Sequence, residues 1–309
     1  MNNSLFPNFK VHKILTEENV YINTLTGGEG PPLLLLHGHP QTHAIWHKVV
    51  PQLAKHFTLV LADLRGYGDS SKPVGAADHG NYSKRVMARD MLRVMQELGY
   101  QQFSVLAHDR GARVAHRLAA DHCDAIKRMV LLDIAPTAAM YAQTNEAFAR
   151  AYWHWFFLIQ RFPLPERLIE ADPAAYLRDV MGGRSAGLTP FDPRAFAEYV
   201  RALSLPGAAH GLCEDYRAAA SIDLEHDRAD LAANKRLTMP LMVLWGAEGV
   251  VHRCFQPLTE WRLFADTVQG TALPCGHYIP EEAPEVLLEK ALPFLLGKEE
   301  VVEERNQPQ

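Results

Sequence analysis

The residues around Asp109 are of the types that a covalent hydrolytic reaction requires. Asp109 is the centre of the segment Ala-His-Asp-Arg-Gly, which lies where an apolar run gives way to a helix-like pattern. A nucleophile presented on such a tight strand-to-helix turn needs a small residue two positions away on either side. Ala107 and Gly111 meet that requirement. The segment therefore predicts a nucleophile elbow whose nucleophile is a carboxylate.

A carboxylate at this position predicts displacement chemistry and excludes a serine esterase. It would attack an sp3 carbon and form an ester with the enzyme, and water activated by a base would then attack the ester carbonyl. His277, late in the chain, is the candidate base. Asp133, which ends a further apolar run, is the acid expected to orient it. Glu248 is a competing acid, placed second because it does not directly end a strand.

The ester-hydrolysis step also needs N–H donors for an oxyanion. We expect them to be the backbone N–H groups of Arg110, directly after the nucleophile, and of His39, after the first apolar run. A simpler interpretation makes Asp109 a helix N-cap with Arg110 and Arg113 as its ion-pair partners. The catalytic interpretation is favoured because Asp109 occurs together with its small neighbours and with His277.

The elements that must position these residues are short strands that alternate with helices. Continuously apolar runs are typical of strands covered on both faces. The predicted strands are Leu33–Leu36, Phe57–Ala62, Phe103–Ala107, Arg128–Asp133, Pro240–Trp245 and a short one before His277. Helical spacing is found at 83–99, 113–120, 255–264 and 282–296. This alternation predicts an α/β fold with a mostly parallel sheet.

A segment of different composition separates the two groups of strands. Residues 138–228 are rich in aromatics, Ala, Arg and Glu and contain no convincing buried strand, so we interpret them as a helical insertion. The core would then consist of 1–137 and 229–298, with a charged and frayed tail at 299–309. An insertion over the carboxyl ends of parallel strands would cover the crevice where such sheets bind ligands.

Composition excludes several classes of function. A formal net charge of -5, with 48% hydrophobic and 22% charged residues, gives no reason to expect nucleic acid or a membrane as partner. The first residues lack a signal-peptide pattern, and no run approaches the roughly 18 to 20 apolar residues of a membrane span, so a cytoplasmic protein is expected. The four cysteines and the histidines at 37–47 lack metal-ligand spacing. We therefore expect no metal and no cofactor.

Several segments together form a more specific pattern. They are His37–Gln41, Asp63–Gly68, His108–Arg113, Tyr152–Trp155 and Asp215–Arg217. In these segments the chain resembles the haloacetate dehalogenases, fluoroacetate dehalogenases included, in register from about Val20 to Leu296. The resemblance implies an α/β-hydrolase fold with an inserted helical cap. The elbow is shared with epoxide hydrolases and haloalkane dehalogenases, whereas the Arg-x-x-Arg pair joined to Trp-His-Trp is more specific.

The resemblance also implies residue roles. Arg110 and Arg113 would bind the substrate carboxylate, because guanidinium groups match its planar oxygens. They would also offset the repulsion between that carboxylate and Asp109. The expected hydrogen-bond donors to the departing halide are His154, Trp155 and Tyr216. Each has a plainer interpretation, the arginines as partners of acidic neighbours and the other side chains as core packing.

The implied activity is cofactor-free hydrolytic dehalogenation of short 2-haloacids such as haloacetate, in a possible homodimer. The alternative is an epoxide hydrolase with the same Asp-His-Asp triad, which would use Tyr216 and one of Tyr152, Tyr176 and Tyr199 as acids. That chemistry, like haloalkane dehalogenation, has no use for the arginine pair. A binding module without activity is disfavoured by the complete triad.

Two departures from the family pattern concern the pocket. His39 stands where the family usually has Phe, which places a titratable side chain near the substrate. Gly183, followed by Arg184, stands where a Trp is expected, so we expect a wider pocket mouth and substrates larger than haloacetate, or poor handling of fluoroacetate. Ala107 and Ala112 replace glycines, which requires negative φ angles there.

Overall fold

An eight-stranded, mostly parallel sheet forms the centre of the computed structural model, which describes residues 5–184 and 186–298. The strands are β1 (Lys10–Glu17), β2 (Val20–Gly27), β3 (Pro32–Leu36), β4 (Thr58–Ala62), β5 (Phe103–His108), β6 (Ile126–Leu132), β7 (Leu241–Gly246) and β8 (Val268–Leu273). Their order in the sheet is β1-β2-β4-β3-β5-β6-β7-β8. From β4 to β8 neighbouring strands pair in parallel, and β1 and β2 are antiparallel additions at one edge. The predicted α/β fold class is confirmed.

Helices flank the sheet and fill the interval between β6 and β7. Those associated with the strands are α1 (Val50–Leu53), α2 (Lys84–Glu97), α3 (Asp109–Asp121), α12 (Val250–Cys254), α13 (Pro257–Trp261), α14 (Ile279–Glu282) and α15 (Pro284–Leu295). Those between β6 and β7 are α4 (Thr137–Ala142), α5 (Glu146–Ala151), α6 (Trp153–Leu158), α7 (Leu164–Ala171), α8 (Pro173–Gly182), α9 (Pro193–Leu203), α10 (Ala208–Ala219) and α11 (Ile222–Ala232). We call α4–α11 the helical segment. Its described residues add no strand to the sheet.

The central strands are buried along their length, which explains their continuous apolar sequences. The four leucines at 33–36 have no exposed surface, and every residue of β5 and β7 is buried. Such strands cannot show polar and apolar alternation because helices cover both faces of a parallel sheet. The apolar runs therefore identified these strands correctly.

The structure differs from the sequence prediction at three points. The hairpin of β1 and β2 was not predicted, because most side chains of β1 face solvent and its apolar residues are few. α3 begins at Asp109 itself, four residues before the predicted helix. The last predicted helix, 282–296, corresponds to α15, and the short α14 directly before it was not predicted. The tail predicted at 299–309 lies outside the described residues.

The parallel strands bring distant residues to one edge of the sheet. His39 follows β3, Asp109 follows β5, Asp133 follows β6, and His277 follows β8. Because carboxyl ends of neighbouring parallel strands lie at the same edge, residues up to 238 positions apart in sequence become neighbours. The fold therefore supplies the position of every main candidate before any side-chain contact is considered.

One close backbone contact holds the helical segment against the loop after β4. Gly66, with a φ of +88°, packs on Gly211 of α10, and an added Cβ would lie 3.1 Å from the Gly211 Cα. Gly99 has the same φ of +88° but nothing within 4 Å of an added Cβ. The two glycines thus share a backbone conformation and differ in the space around them.

We expect Gly66→Ala to lower the free energy of unfolding more than Gly99→Ala. Both substitutions carry the cost of a positive φ, about 1 to 2 kcal/mol. Gly66→Ala adds overpacking against α10, about 1 to 3 kcal/mol. Urea titration of both variants measures the difference, and equal losses would contradict the packing role of Gly66.

Candidate active site

The turn after β5 is crowded and strained, as a nucleophile elbow requires. Asp109 has a φ of 45°, which side chains other than glycine rarely adopt. An added Cβ at Gly111 would lie 2.3 Å from the His37 carbonyl oxygen, so only glycine fits there. Neither Ala107 nor Ala112 has a positive φ, so alanine fits the backbone conformation at both positions. The small residues around Asp109 therefore have a direct steric reason.

His277 lies between two carboxylates in the buried interior. Its Nδ1 is 2.5 Å from Oδ2 of Asp133, and its Nε2 is 3.8 Å from Oδ2 of Asp109. The other oxygen of Asp133 accepts from the Gly246 backbone N–H at 2.9 Å. Among the described residues the acid that hydrogen-bonds His277 is thus Asp133 and not Glu248. In this arrangement Nε2 faces the carboxylate of the elbow.

The charged groups around His277 stabilise one another in their ionised forms. Burial alone would raise the pKa of Asp109, but His277 and Arg184 act more strongly and hold it well below its ordinary value. For His277, burial and Arg184 oppose the charged form, yet the two carboxylates prevail and raise its pKa above the ordinary value. Asp109 is therefore ionised at neutral pH, as a nucleophile must be.

The two predicted oxyanion donors both lie beside Asp109. The His39 N–H donates to Oδ2 of Asp109 at 2.9 Å. Arg110 is the second residue of α3, so its N–H has no partner within the helix. An added Cβ at Gly38 would lie 2.4 Å from the Asp109 Cβ and 3.0 Å from the Arg110 nitrogen. The glycine lets the loop after β3 approach the elbow this closely.

Arg110 is held in place by an acid for which the sequence suggested no role. Its Nε and one terminal nitrogen donate to the two oxygens of Asp215, each at 2.9 Å, and Lys84 binds the same carboxylate. The guanidinium also lies 4.0 Å from the Tyr216 ring. Its remaining nitrogen, Nη1, is buried and has no partner among the described residues. The sequence did contain a signal for this role, because Asp215 directly precedes Tyr216 in one of the segments that carry the family resemblance.

Arg113 is anchored in a similar way. Nη1 donates to the Ala135 carbonyl at 3.1 Å and to Thr137 Oγ1 at 2.9 Å, and the guanidinium lies 4.8 Å from the Trp155 ring. Burial and the neighbouring Arg110 lower the pKa of Arg113. Its buried Nε has no partner within the described part of the chain. Each arginine of the pair therefore keeps one N–H group available.

The three predicted halide donors come together on the helical segment. The Tyr216 ring lies 6.0 Å from His154 and 6.2 Å from Trp155. Trp155 Nε1 and the Tyr216 hydroxyl are buried without partners among the residues that the structure describes. His154 instead stacks on His39 at 5.5 Å. Two of the three donors are therefore available to a small acceptor.

A small cavity of about 220 Å³ leads to His277. Its lining includes Tyr152, Gly183, Arg184, Glu248 and Arg253. Gly183 therefore lies on the wall of the cavity, at the position where the family pattern has a Trp side chain. The effect of Gly183 on substrate size stays a prediction.

We expect Asp215→Ala to destabilise the protein strongly, by about 3 to 5 kcal/mol, because it leaves the buried Arg110 without a counter-ion, whereas Lys84 keeps Asp223. The control is Glu146→Ala, which removes an exposed ion pair with Arg150 in the same helical segment and should change stability little. Thermal or urea unfolding of both variants measures the difference. A small effect for Asp215→Ala would show that Lys84 and Arg110 are not held by this carboxylate.

Known proteins are similar to this chain over most of its length. A family model for the α/β hydrolase fold matches residues 31–284. A fluoroacetate dehalogenase from Burkholderia sp. is 43% identical over 282 residues, which cover 91% of this chain and 92% of that protein. A soluble epoxide hydrolase from Corynebacterium sp. (strain C12) is 36% identical over 278 residues, 87% of this chain and 92% of that protein.

A solved structure shows the same similarity in three dimensions. The crystal structure of an α/β hydrolase from Nostoc sp. PCC 7120 superposes with a TM-score of 0.90 at 53% identity, and covers 93% of this chain and 98% of its own. Fold and comparisons agree that the molecule is an α/β hydrolase. Within that superfamily the chain belongs to the haloacetate dehalogenase family, which confirms the resemblance inferred from its sequence.

Among residues 5–184 and 186–298, no helix is both long and apolar enough to cross a bilayer.

Proposed function

We propose that the enzyme hydrolyses short 2-haloacids by attack of Asp109 on the carbon that bears the halogen. The observation that carries the proposal is the arginine pair. Arg110 and Arg113 are buried beside the elbow, and each keeps an N–H group without a partner among the described residues. A carboxylate a few ångströms from Asp109 would cost on the order of 4 kcal/mol at an effective dielectric near 20. Two guanidinium groups offset that repulsion.

The reaction would proceed in two steps. An Oδ atom of Asp109 displaces the halogen, which leaves as halide with the electron pair of the broken bond, and an ester forms. His277 Nε2 then takes a proton from water, and the resulting hydroxide attacks the ester carbonyl. The N–H groups of His39 and Arg110 would stabilise the oxyanion. On collapse the product oxygen takes the proton back from His277 and the 2-hydroxyacid leaves, while the second proton of the water passes from Asp109 to solvent and the carboxylate is restored.

The helical segment supplies the other half of the proposed site. It contributes the three candidate halide ligands and the acid that holds Arg110. The predicted donors to the halide are His154, Trp155 and Tyr216. We propose that residues 138–228 act as a cap between the core parts 1–137 and 229–298. The homodimer and the cytoplasmic location stay predictions from the sequence.

An epoxide hydrolase is the second candidate, supported by the Corynebacterium relative at 36% identity. Its chemistry needs tyrosines that protonate an epoxide oxygen, and the Tyr216 hydroxyl has no partner among the described residues. A neutral epoxide, however, leaves the available N–H groups of Arg110 and Arg113 buried and unpaired. Unpaired buried donors are costly, so the haloacid is favoured.

We expect the enzyme to release halide from chloroacetate and 2-chloropropionate, and expect this release to vanish in Asp109→Ala. An ion-selective electrode measures the halide, and fluoroacetate in the same series tests the consequence of Gly183. Diol formation from styrene oxide is the parallel assay. Clear diol formation without halide release would mean that the activity is epoxide hydrolysis.

We expect the His277 imidazole of the free enzyme to titrate with a midpoint above 6.5. In the free enzyme Asp109 is ionised, and the two carboxylates raise the pKa of His277 above the ordinary value of 6.5. NMR of the His277 ring as a function of pH measures this midpoint. Asp133→Asn should move it to lower pH, because it removes a carboxylate that stabilises the charged imidazole. A wild-type midpoint at or below 6.5 would contradict the arrangement.

A further inference from the structure

Arg184 is a buried cation with unusual partners. Its side chain leaves the end of α8 and lies inside the site, with 8% of the residue exposed. It donates to the His39 carbonyl at 3.0 Å and to the Tyr278 hydroxyl at 2.6 Å. Its Nε lies 3.4 Å from the Val180 carbonyl. All of these acceptors are neutral.

No carboxylate among the described residues forms an ion pair with Arg184. Of the other two buried arginines of the site, Arg110 has Asp215, whereas Arg113 has only neutral acceptors in the described part of the chain and would gain its counter-ion from the proposed substrate carboxylate.

A buried charge without a counter-ion is strongly unfavourable, so the surroundings of Arg184 must contain a negative charge at a longer distance. The His39 backbone links Arg184 to such a charge, since its carbonyl accepts from Arg184 at 3.0 Å and its N–H donates to Asp109 Oδ2 at 2.9 Å. Arg184 also helps to hold the pKa of Asp109 below its ordinary value.

The contact between Arg184 and His154 changes the expected behaviour of that histidine. Arg184 Nη1 lies 3.4 Å from His154 Nε2. A guanidinium has donors only, so His154 Nε2 accepts in this contact and does not itself donate. Burial and Arg184 also lower the pKa of His154 well below its ordinary value, so the imidazole is neutral. His154 therefore cannot bring positive charge to a halide.

Dehalogenation moves one negative charge within the site. Before the reaction the charge is on Asp109, and after displacement Asp109 is a neutral ester while the charge is on the halide. Arg110 and Arg113 are occupied by the substrate carboxylate in both states. Arg184 would then lose its counter-charge unless the halide takes that place.

We propose that Arg184 is the cationic ligand of the departing halide, together with Trp155 Nε1 and the Tyr216 hydroxyl, while His154 orients the guanidinium by accepting from it. This inference rests on the proposed dehalogenase function and specifies the leaving-group site. The ligand is a monatomic halide. Its binding should strengthen when the charge of Asp109 is removed, because both anions use the same cation.

The test is equilibrium binding of bromide, followed by quenching of tryptophan fluorescence. Asp109→Asn imitates the neutral ester and should bind bromide more tightly than the wild type. In that background Arg184→Met should weaken binding at least about tenfold, as expected for loss of a charged hydrogen-bond donor, and Arg184→Lys should retain most of it. Arg253→Met, which removes another arginine of the same cavity, is the matched control and should have no effect.

His154→Asn keeps the test decisive if Arg184→Met does not fold. An asparagine oxygen can still accept from Arg184, so bromide binding should survive in Asp109→Asn/His154→Asn. Loss of binding there, or unchanged binding in the Arg184→Met variant, would overturn the inference. Halide release from chloroacetate by the wild type separates the two proposals, since its absence refutes the dehalogenase function whatever bromide shows.

Discussion

A single negative charge, that of Asp109, must stay ionised in an interior that excludes water. Removing a carboxylate from water costs several kcal/mol unless other groups compensate. Here His277 and Arg184 act on the charge, and the His39 N–H donates to it at 2.9 Å. The N-terminal end of α3 adds a favourable dipole. The remaining features of the site keep Asp109 ionised and would allow its negative charge to be transferred to the departing halide.

The same constraint explains why the helical segment places a buried carboxylate next to Arg110. Asp215 pairs with both Arg110 and Lys84, so Arg110 can lie buried beside the nucleophile with a counter-ion of its own. Through these contacts the segment determines which N–H groups of the site are paired within the protein and which can still bind a substrate. A neutral core of similar shape would be easier to fold, but it could not hold an anionic substrate next to an anionic nucleophile.

The sequence predicted the features that depend on local pattern. Continuous apolar runs located the central strands, and positions at strand ends brought Asp109, Asp133 and His277 to one edge of the sheet. It did not predict the β1–β2 hairpin, whose first strand has largely exposed side chains. Nor could it predict that Asp215 holds Arg110 or that Arg184 enters the site, because both depend on how helices distant in sequence pack together.

The most direct test of the account is a single turnover of chloroacetate by excess enzyme in water enriched in oxygen-18. If Asp109 forms an ester, the first glycolate released carries an ordinary oxygen from the enzyme, and the label appears in the Asp109 carboxylate. Mass spectrometry of the product and of the peptide that contains Asp109 measures both. Label in the first glycolate and none in the peptide would show that water attacks the substrate directly, and would contradict Asp109 as the nucleophile.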